Sequence, residues 1–302
     1  MLKRLIKKLQ LMRHASQRVL SMNKRNLDYI YPNNHRRNFP IADNKLLTKQ
    51  IMADSDVVMP ETLATFSSFY ELSNLADELN KHKSFVIKPA KGSGGGGILV
   101  FVDKEGDHWL TPGGKRYTLN AIKKQLTDII FGVYSFGLSD VAIVEERIIQ
   151  HPDITCLSPH GLADVRLITY QHRPVLCMAR IPTLASDGKA NLHQGAIGLG
   201  IDIKSGITKH AISLHDSITH HPDNNELLIG QSIPYWPQVV AMSCVAASKA
   251  PLKYLGIDIS ISESGPVLLE INVRPGLQIQ NANQQGMRTL LEAIRHEVQN
   301  EY

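Results

Sequence analysis

The residues between Phe85 and Ile98 join a lysine-bearing apolar run to four consecutive glycines. Lys88 stands near the end of the apolar run, and the glycines from Gly94 to Gly97 follow shortly after it. Glycine is costly to order, but it lets backbone N–H groups approach an anionic ligand closely. Lysine adds a point positive charge. This pattern is typical of a phosphate-covering loop, and a flexible hairpin tip is the alternative. Its spacing fits neither the P-loop nor the dinucleotide-binding fingerprint.

A second pattern, near the C-terminus, places oxygen donors on a predicted hairpin. Two apolar runs, 256–261 and 267–273, flank a short polar turn. Glu270 and Asn272 are two residues apart, so both side chains leave the same face of one strand. A turn of common hairpin length puts Asp258 opposite Glu270. These three oxygen donors suit Mg²⁺, which takes carboxylates together with substrate phosphates. A strand with one buried, paired acid is the alternative.

Taken in chain order, these motifs resemble the ATP-grasp superfamily, and more closely the RimK-like glutamate ligases and α-L-glutamate ligase-like proteins. The resemblance covers about residues 42–276. The matching segments are 43–49, 86–89, 92–95, 144–147, 164–166, 178–180, 188–195, 256–258 and 269–276.

The resemblance implies an α+β chain with the ATP-grasp fold, in which two α/β lobes hold ATP between them. We expect a helical basic arm and connector at 1–40, a lobe with the glycine-rich loop at 41–143, and a lobe with the metal site at 144–302. Such enzymes usually carry an N-terminal α/β domain that helps to bind substrate, whereas about 40 residues precede Lys45 here, so we expect the basic arm or a partner protein to hold the substrate.

The local pattern adds expectations about secondary structure. Turn-forming residues predict a connector at 31–40. Helices are predicted at 42–54, with Asp43 as the cap, and at 68–82.

The resemblance also assigns roles to residues. Lys45 and Lys88 match the two lysines that contact the phosphates of ATP. The other implied nucleotide contacts are Gly92, Ser93, Gly94, Gly95, Glu146, Arg147, Asp164, Lys189 and Asn191. The implied metal ligands are Asp258, Glu270 and Asn272, and the implied catalytic arginines are Arg166, Arg180 and Arg274. A surface ion pair is the alternative for the strand arginines, and an ion pair at the strand end for Arg274.

The implied reaction is the ATP- and Mg²⁺-dependent joining of a carboxylate to an amine through an acyl phosphate. Two metal ions are expected, and Mn²⁺ is a suitable substitute. The substrates would be an amino acid or peptide carboxylate and an amine, with glutamate as one candidate. One alternative is an ATP-grasp phosphotransferase that forms no amide. Another is a nucleotide-binding pseudoenzyme that docks through the basic arm.

Composition and charge narrow the setting. The chain has 302 residues, of which 43% are hydrophobic and 20% charged, as in a globular enzyme. Its three cysteines form no C-x-x-C pair, which argues against a disulfide or zinc framework and favours the cytoplasm. We expect neither a secretory leader nor a membrane span.

Positive charge is concentrated at the N-terminus. Residues 1–40 contain ten Lys or Arg and one acid, so they carry +9, whereas the whole chain carries +5. Leu2, Leu5, Leu9 and Met12 recur at helical spacing, which predicts an amphipathic helix. This helix either docks on the protein body or meets an acidic partner or anionic inner membrane surface through residues 1–24. Nucleic acid is disfavoured because no aromatic residues interleave with the charges.

Overall fold

The computed structural model describes residues 18–92 and 94–301. The apolar stripe predicted from Leu2 to Met12, and the predicted nucleotide contact Ser93, lie outside the described residues.

Most helical segments in the described part of the chain are short. They are α1 (Met22–Arg25), α2 (Tyr31–Asn33), α3 (Phe39–Asp43), α4 (Lys45–Met52), α5 (Leu75–Leu79), α6 (Leu119–Ile130), α7 (Pro152–Leu157), α8 (Trp236–Lys249), α9 (Ile279–Asn283) and α10 (Arg288–Asn300). A π-helical turn covers Asn26–Ile30, and 3-10 turns cover Arg36–Asn38, Tyr70–Asn74 and Leu192–Gln194.

The strands form antiparallel sheets. They are β1 (Thr62–Phe66), β2 (Phe85–Pro89), β3 (Leu99–Phe101), β4 (Asp103–Glu105), β5 (His108–Leu110), β6 (Arg116–Thr118), β7 (Ala142–Glu145), β8 (Asp164–Tyr170), β9 (Arg173–Ile181), β10 (Ile197–Ile201), β11 (Thr208–Ser213), β12 (Asp216–Ile218), β13 (Tyr254–Ser262) and β14 (Gly265–Asn272). The mixture of helices with antiparallel sheets confirms the α+β class.

One compact unit consists of residues 51–57, 150–301 and the described part of 1–42. Its seven-stranded sheet has the order β12-β11-β10-β9-β8-β13-β14. Every residue of β8 and of β13 is buried, because these two strands lie inside the sheet and carry mostly apolar side chains. Polar residues on these strands must therefore find partners within the sheet.

The chain before residue 42 is part of this unit. Leu20 and Tyr29 are buried in its core. The backbone of Leu20 exchanges two hydrogen bonds with the Gln280 side chain, at 2.8 and 3.0 Å. Arg25 is buried as well, and its guanidinium donates to the carbonyl of Pro275 at 2.8 Å. The N-terminal residues from 18 onward thus support the chain just after β14.

The other compact unit consists of residues 43–50 and 58–149. Its four-stranded sheet has the order β1-β7-β2-β3, and β4, β5 and β6 form a separate small sheet. Its core contains the buried aromatic residues Phe66, Phe85, Phe101 and Trp109, together with Leu126 of α6.

Three local predictions are corrected by the structure. Residues 31–40 form helical turns rather than a turn-rich connector, since Pro32 occupies the first turn of α2, where its missing N–H costs nothing. The predicted helix 68–82 is a 3-10 turn followed by the short α5. The predicted helix 42–54 is interrupted at Asn44, whose side chain accepts from Leu46 N at 3.0 Å and replaces Asp43 as the cap.

Within the described ranges, no helix combines the length and the apolar character needed to cross a bilayer.

Gly200 provides a test of the packing between the large sheet and α9. A Cβ atom at this position would lie 2.3 Å from the backbone oxygen of Ala282, which cannot move without shifting α9. We expect Gly200→Ala to lower the free energy of unfolding by about 1–3 kcal/mol, as overpacking does. Gly113→Ala is the matched control, because a Cβ at that position would have nothing within 4 Å. Equal urea midpoints for the two variants would contradict this packing.

Candidate functional site

The glycine-rich loop follows β2, and its backbone favours glycine at several positions. Gly94, Gly95 and Gly97 have φ angles of +64°, +78° and +77°, the left-handed region that favours glycine. A Cβ on Gly92 would lie 2.1 Å from the Pro89 ring. At these positions, either the backbone conformation or a neighbouring ring disfavours any residue other than glycine.

Side chains from the same unit hold this loop at both ends. Lys91 N donates to both oxygens of the buried Asp140 carboxylate, at 3.1 and 3.0 Å. Gln125 donates to the Gly97 carbonyl at 3.0 Å. The ammonium of Lys45, a predicted phosphate ligand, donates a hydrogen bond to the Gly92 carbonyl at 2.9 Å. The ammonium of Lys45 thus lies at the loop, as a phosphate contact requires.

In this unit, the carboxylate of Glu145 forms ion pairs with two lysines. It ends β7, is 2% exposed, and lies across from Val86 in the register of β2. The Lys88 ammonium lies 2.6 Å from one carboxylate oxygen, and the Lys49 ammonium lies 2.8 Å from the other. Lys49 also donates to the backbone of Pro60 at 2.6 Å. One buried acid therefore fixes two cations.

Lys49 is a functional candidate that the sequence pattern did not single out, since the motif match selected Lys45 from the same helix. The signal was present, because residues four apart in a helix share a face. Burial lowers the pKa of Lys49, the Glu145 carboxylate opposes that shift, and the neighbouring Lys88 adds to it. Two lysines against one glutamate leave one positive charge, which suits an anionic ligand.

The chain after Glu145 was predicted to line adenine. Glu146 is exposed, and its backbone N–H donates to the Glu61 carbonyl at 3.0 Å. Arg147 is half-buried, and its Nε is buried without a hydrogen-bond partner.

In the larger unit, strand register brings the other predicted residues together. Asp164 and Arg166 are two apart on β8 and share a face. Arg180 lies opposite Asp164, and Asp258 lies opposite Arg166. This charge cluster is completed on β14 by Glu270, opposite Asp258, and by Asn272. The predicted pairing of Asp258 with Glu270 is confirmed.

Asp258 forms the centre of this charge cluster. It is fully buried, and Arg166 donates to its two oxygens at 2.8 and 2.5 Å. Arg180 donates to it at 2.8 Å and to Asp164 at 2.6 and 2.7 Å. Asn272 Nδ2 adds a hydrogen bond of 3.1 Å to Asp258. Four donors fill the acceptor capacity of one carboxylate.

The cluster shifts the acidity of its members. Burial alone would raise the pKa of Asp258, but Arg166 and Arg180 outweigh it and hold that pKa below its usual range. Burial raises the pKa of Asp164 to about 6; Arg180 opposes this shift, and the charge of Asp258 adds to it. Three carboxylates against two guanidiniums leave one surplus negative charge, so one acid takes up a proton easily.

Other predicted residues lie apart from these contacts. Lys189 pairs with Asp187 at 3.2 Å on an exposed loop. Asn191 caps the following 3-10 turn by accepting from His193 N at 3.0 Å. Arg274 is exposed just after β14, with its guanidinium 5.2 Å from the centre of the Phe39 ring.

A comparison with known protein families identifies the family of this chain. The model of a family described as sugar-transfer associated ATP-grasp matches residues 24–296, nearly the whole chain. The chain belongs to this ATP-grasp family. Its fold is the ATP-grasp fold, as expected from the order of the motifs. No curated protein sequence matches the chain.

Several solved structures are similar to this ATP-grasp chain. The ATP-grasp ligase PsnB, complexed with a minimal precursor, is 13% identical with a TM-score of 0.45, over 87% of this chain and 63% of PsnB. The D-alanine–D-alanine ligase of Helicobacter pylori is 16% identical with a TM-score of 0.49, over 85% of this chain and 61% of the ligase. The D-cycloserine synthetase DcsG is 13% identical with a TM-score of 0.44, over 85% of this chain and 70% of the synthetase.

The types of oxygen donor in the charge cluster indicate whether it can hold a metal ion. Among the residues that the structure describes, no group of three or more His, Cys, Asp or Glu has a metal-binding arrangement. Glu270 and Asn272, both half-buried, offer a carboxylate and an amide oxygen on one face. Since Asn272 Nδ2 points to Asp258 and, at 3.4 Å, to Glu270, its Oδ1 is directed away from both. This donor set fits Mg²⁺ when phosphates supply further oxygens.

Glu145 offers a prediction about stability. Glu145→Gln leaves two ammonium groups facing a neutral amide. Breaking a buried ion pair costs about 3–5 kcal/mol, so the urea midpoint should fall clearly. The neighbouring exposed residue supplies the control, since Glu146→Gln should leave the free energy of unfolding within about 0.5 kcal/mol of that of the natural protein. If both variants unfold at the same urea concentration, Glu145 does not hold the lysines.

Asp164 offers a prediction about pH. Its folded pKa of about 6 lies above its ordinary value of 3.8, so the folded chain binds this proton more tightly than the unfolded chain. Its contribution to stability therefore grows as the pH falls from 6 toward 4. The free energy of unfolding of the natural protein, relative to Asp164→Asn, should rise over that window. A fall would show that Arg180 dominates and holds the Asp164 pKa low.

Proposed function

We propose that this protein is an ATP- and Mg²⁺-dependent carboxylate–amine ligase, of the kind that adds glutamate or another amino acid to an acceptor. The observation that carries the proposal is the single sheet face on which Asp258, Glu270 and Asn272 meet Arg166 and Arg180. It joins groups suited to a cation with groups suited to an anion. The two lobes, with the boundaries 41–143 and 144–302, are part of the proposal.

Residues of the smaller unit would bind the nucleotide phosphates. Lys45 is held at the glycine-rich loop, and Lys88 is held by Glu145. Lys49 shares Glu145 with Lys88 and joins the set on structural grounds. The further proposed nucleotide contacts are Gly92, Ser93, Gly94, Gly95, Glu146, Arg147, Asp164, Lys189 and Asn191.

Glu270 and Asn272 would hold Mg²⁺, which would offset the charge of the phosphates, while ATP would supply the phosphoryl group that activates a carboxylate. Asp258 is proposed as a third ligand, although its oxygens accept four hydrogen bonds in the structure. Its contribution as a ligand requires Asn272 or an arginine to release one of them. Two metal ions are proposed, with Mn²⁺ as a substitute.

The arginines would act on charge rather than on protons. Arg166 and Arg180 are positioned by Asp258 and Asp164 before any ligand binds, so they would be in place to meet developing negative charge. Arg274 follows β14 and is exposed, and a guanidinium there suits a second substrate carboxylate.

A second candidate is phosphoryl transfer to an acceptor hydroxyl. The family description, which links these proteins to sugar transfer, favours it. The product would be a phosphate ester instead of an amide.

One assay separates these candidates. ADP release is measured with ATP and Mg²⁺ across a panel of amino acids, each with and without amine and sugar acceptors, and product masses are determined by mass spectrometry. A ligase gives an amide and free phosphate. A mass gain of one phosphoryl group on the acceptor indicates phosphotransfer, and bound ATP without ADP release indicates a pseudoenzyme.

Glu270→Gln tests the metal assignment. Removing this charge should reduce Mg²⁺-dependent ATP turnover on the order of 100-fold, as the loss of a charge-stabilising group does. Glu270 is half-buried, so the fold should persist and the thermal midpoint should stay close to that of the natural protein. Glu263→Gln, in the exposed turn of the same hairpin, is the control and should turn over normally. Similar rates for both variants would rule out Glu270 as a ligand.

A further inference from the structure

The chain between α6 and β7 exposes a row of large apolar side chains. Phe136 is 92% exposed, and Phe131, Leu138 and Val133 are 67%, 66% and 63% exposed. Single exposed apolar residues are ordinary, but four within eight residues mark a contact surface. We call residues 131–139 the apolar loop.

The apolar loop is ordered by its own hydrogen bonds. Gly137 N donates to the Gly132 carbonyl and Leu138 N to the Ser135 carbonyl, both at 3.0 Å. The Ser135 hydroxyl donates to the buried Asp140 carboxylate. Phe136 has a φ of +55°, a region that bulky residues rarely adopt. The fold therefore maintains Phe136 at the outside of a fixed turn instead of burying it.

Cations accompany this apolar surface. The Lys91 ammonium donates to the Ser139 carbonyl at 2.9 Å, so it lies directly at the loop. Lys124, on α6, is exposed seven residues before Phe131 and shares its helical face. Of the acids between residues 119 and 140, Asp140 is buried under the loop and Asp128 is half-buried. The surface thus has an apolar centre and a cationic edge.

We propose that the apolar loop docks this unit on an anionic lipid bilayer, with Phe136 and Leu138 entering the interface and Lys91 and Lys124 meeting the headgroups. The charge pattern supports this occupant. Apolar and aromatic side chains are stabilised at the bilayer interface, and each lysine near an anionic surface adds attraction. In the sequence, the residues of this surface lie outside the segment 1–24 that was predicted to contact a membrane or an acidic partner.

Docking would also restrain the glycine-rich loop. Asp140 ties Ser135 of the apolar loop to Lys91 N at the start of the glycine-rich loop. Tyr134 donates to Gln125 at 3.3 Å, and Gln125 donates to the Gly97 carbonyl at its other end. This part of the inference rests on the proposed function: membrane binding should strengthen nucleotide binding.

The test is co-sedimentation of the full chain with vesicles of phosphatidylcholine containing phosphatidylglycerol. The double variant Phe136→Ser/Leu138→Ser should bind at least about tenfold more weakly than the natural protein, since two apolar side chains leave the interface. The control Leu184→Ser/Leu227→Ser changes two exposed leucines elsewhere, 66% and 45% exposed, and should bind normally. Thermal unfolding verifies that both variants fold.

Three outcomes would overturn the proposal. In the first, the natural protein does not bind the vesicles. In the second, the apolar-loop variant binds as tightly as the control, so the apolar loop is not the docking site. In the third, analytical ultracentrifugation shows that the natural protein is a dimer and that the apolar-loop variant is a monomer, so a second copy of the chain covers the apolar loop. A fluorescent ATP analogue, titrated with and without vesicles, separates the two proposals: vesicle binding without nucleotide binding sustains docking and contradicts the proposed function.

Discussion

The Asp258 carboxylate is stable inside the seven-stranded sheet because two guanidinium groups neutralise it. An isolated charge at that depth would cost several kcal/mol, so Asp258 needs both arginines and they need it. Their contact depends on the registers between β8, β9, β13 and β14. A slip of one residue in β13 would turn Asp258 to the opposite face and leave Arg166 unpaired. The sheet register and the charge cluster therefore stabilise each other, and Glu270 and Asn272 take their positions from the same register.

The smaller unit also contains a buried acid paired with cations, but the net charge of that group is positive instead of negative. Glu145 is buried between Lys49 and Lys88, which leaves a positive surplus beside a glycine-rich backbone. The cluster around Asp258 has one surplus negative charge when Glu270 is counted, and Asn272 places an amide group beside it. In each unit a buried acid fixes the cations before any ligand arrives, so little ordering is left to the binding step. The first balance favours phosphates and the second favours a metal ion.

Local patterns in the sequence predict part of the fold and of the site, but they cannot predict which residues pair when these are far apart in the chain. The facing of Asp258 and Glu270 followed from a two-residue strand period and a short turn. The pairing of Asp258 with Arg166 could not be read, because the two residues are 92 positions apart in the chain. Glu145 was passed over for Glu146, since only the register with β2 shows which of two adjacent acids points inward. The prolines and asparagines of segment 31–40 are turn formers and predict a connector, whereas in the structure Pro32 lies in the first turn of a helix, where proline is tolerated.

The most direct test of this account is to measure Mn²⁺ binding by electron paramagnetic resonance, with and without ATP. The natural protein should bind Mn²⁺ in a manner that requires ATP. Glu270→Gln should weaken that binding by about 10- to 100-fold, and Glu263→Gln should leave it unchanged. Equal Mn²⁺ affinity in the natural protein and in Glu270→Gln would contradict the account, because the metal would then lie away from the sheet face that Asp258 organises.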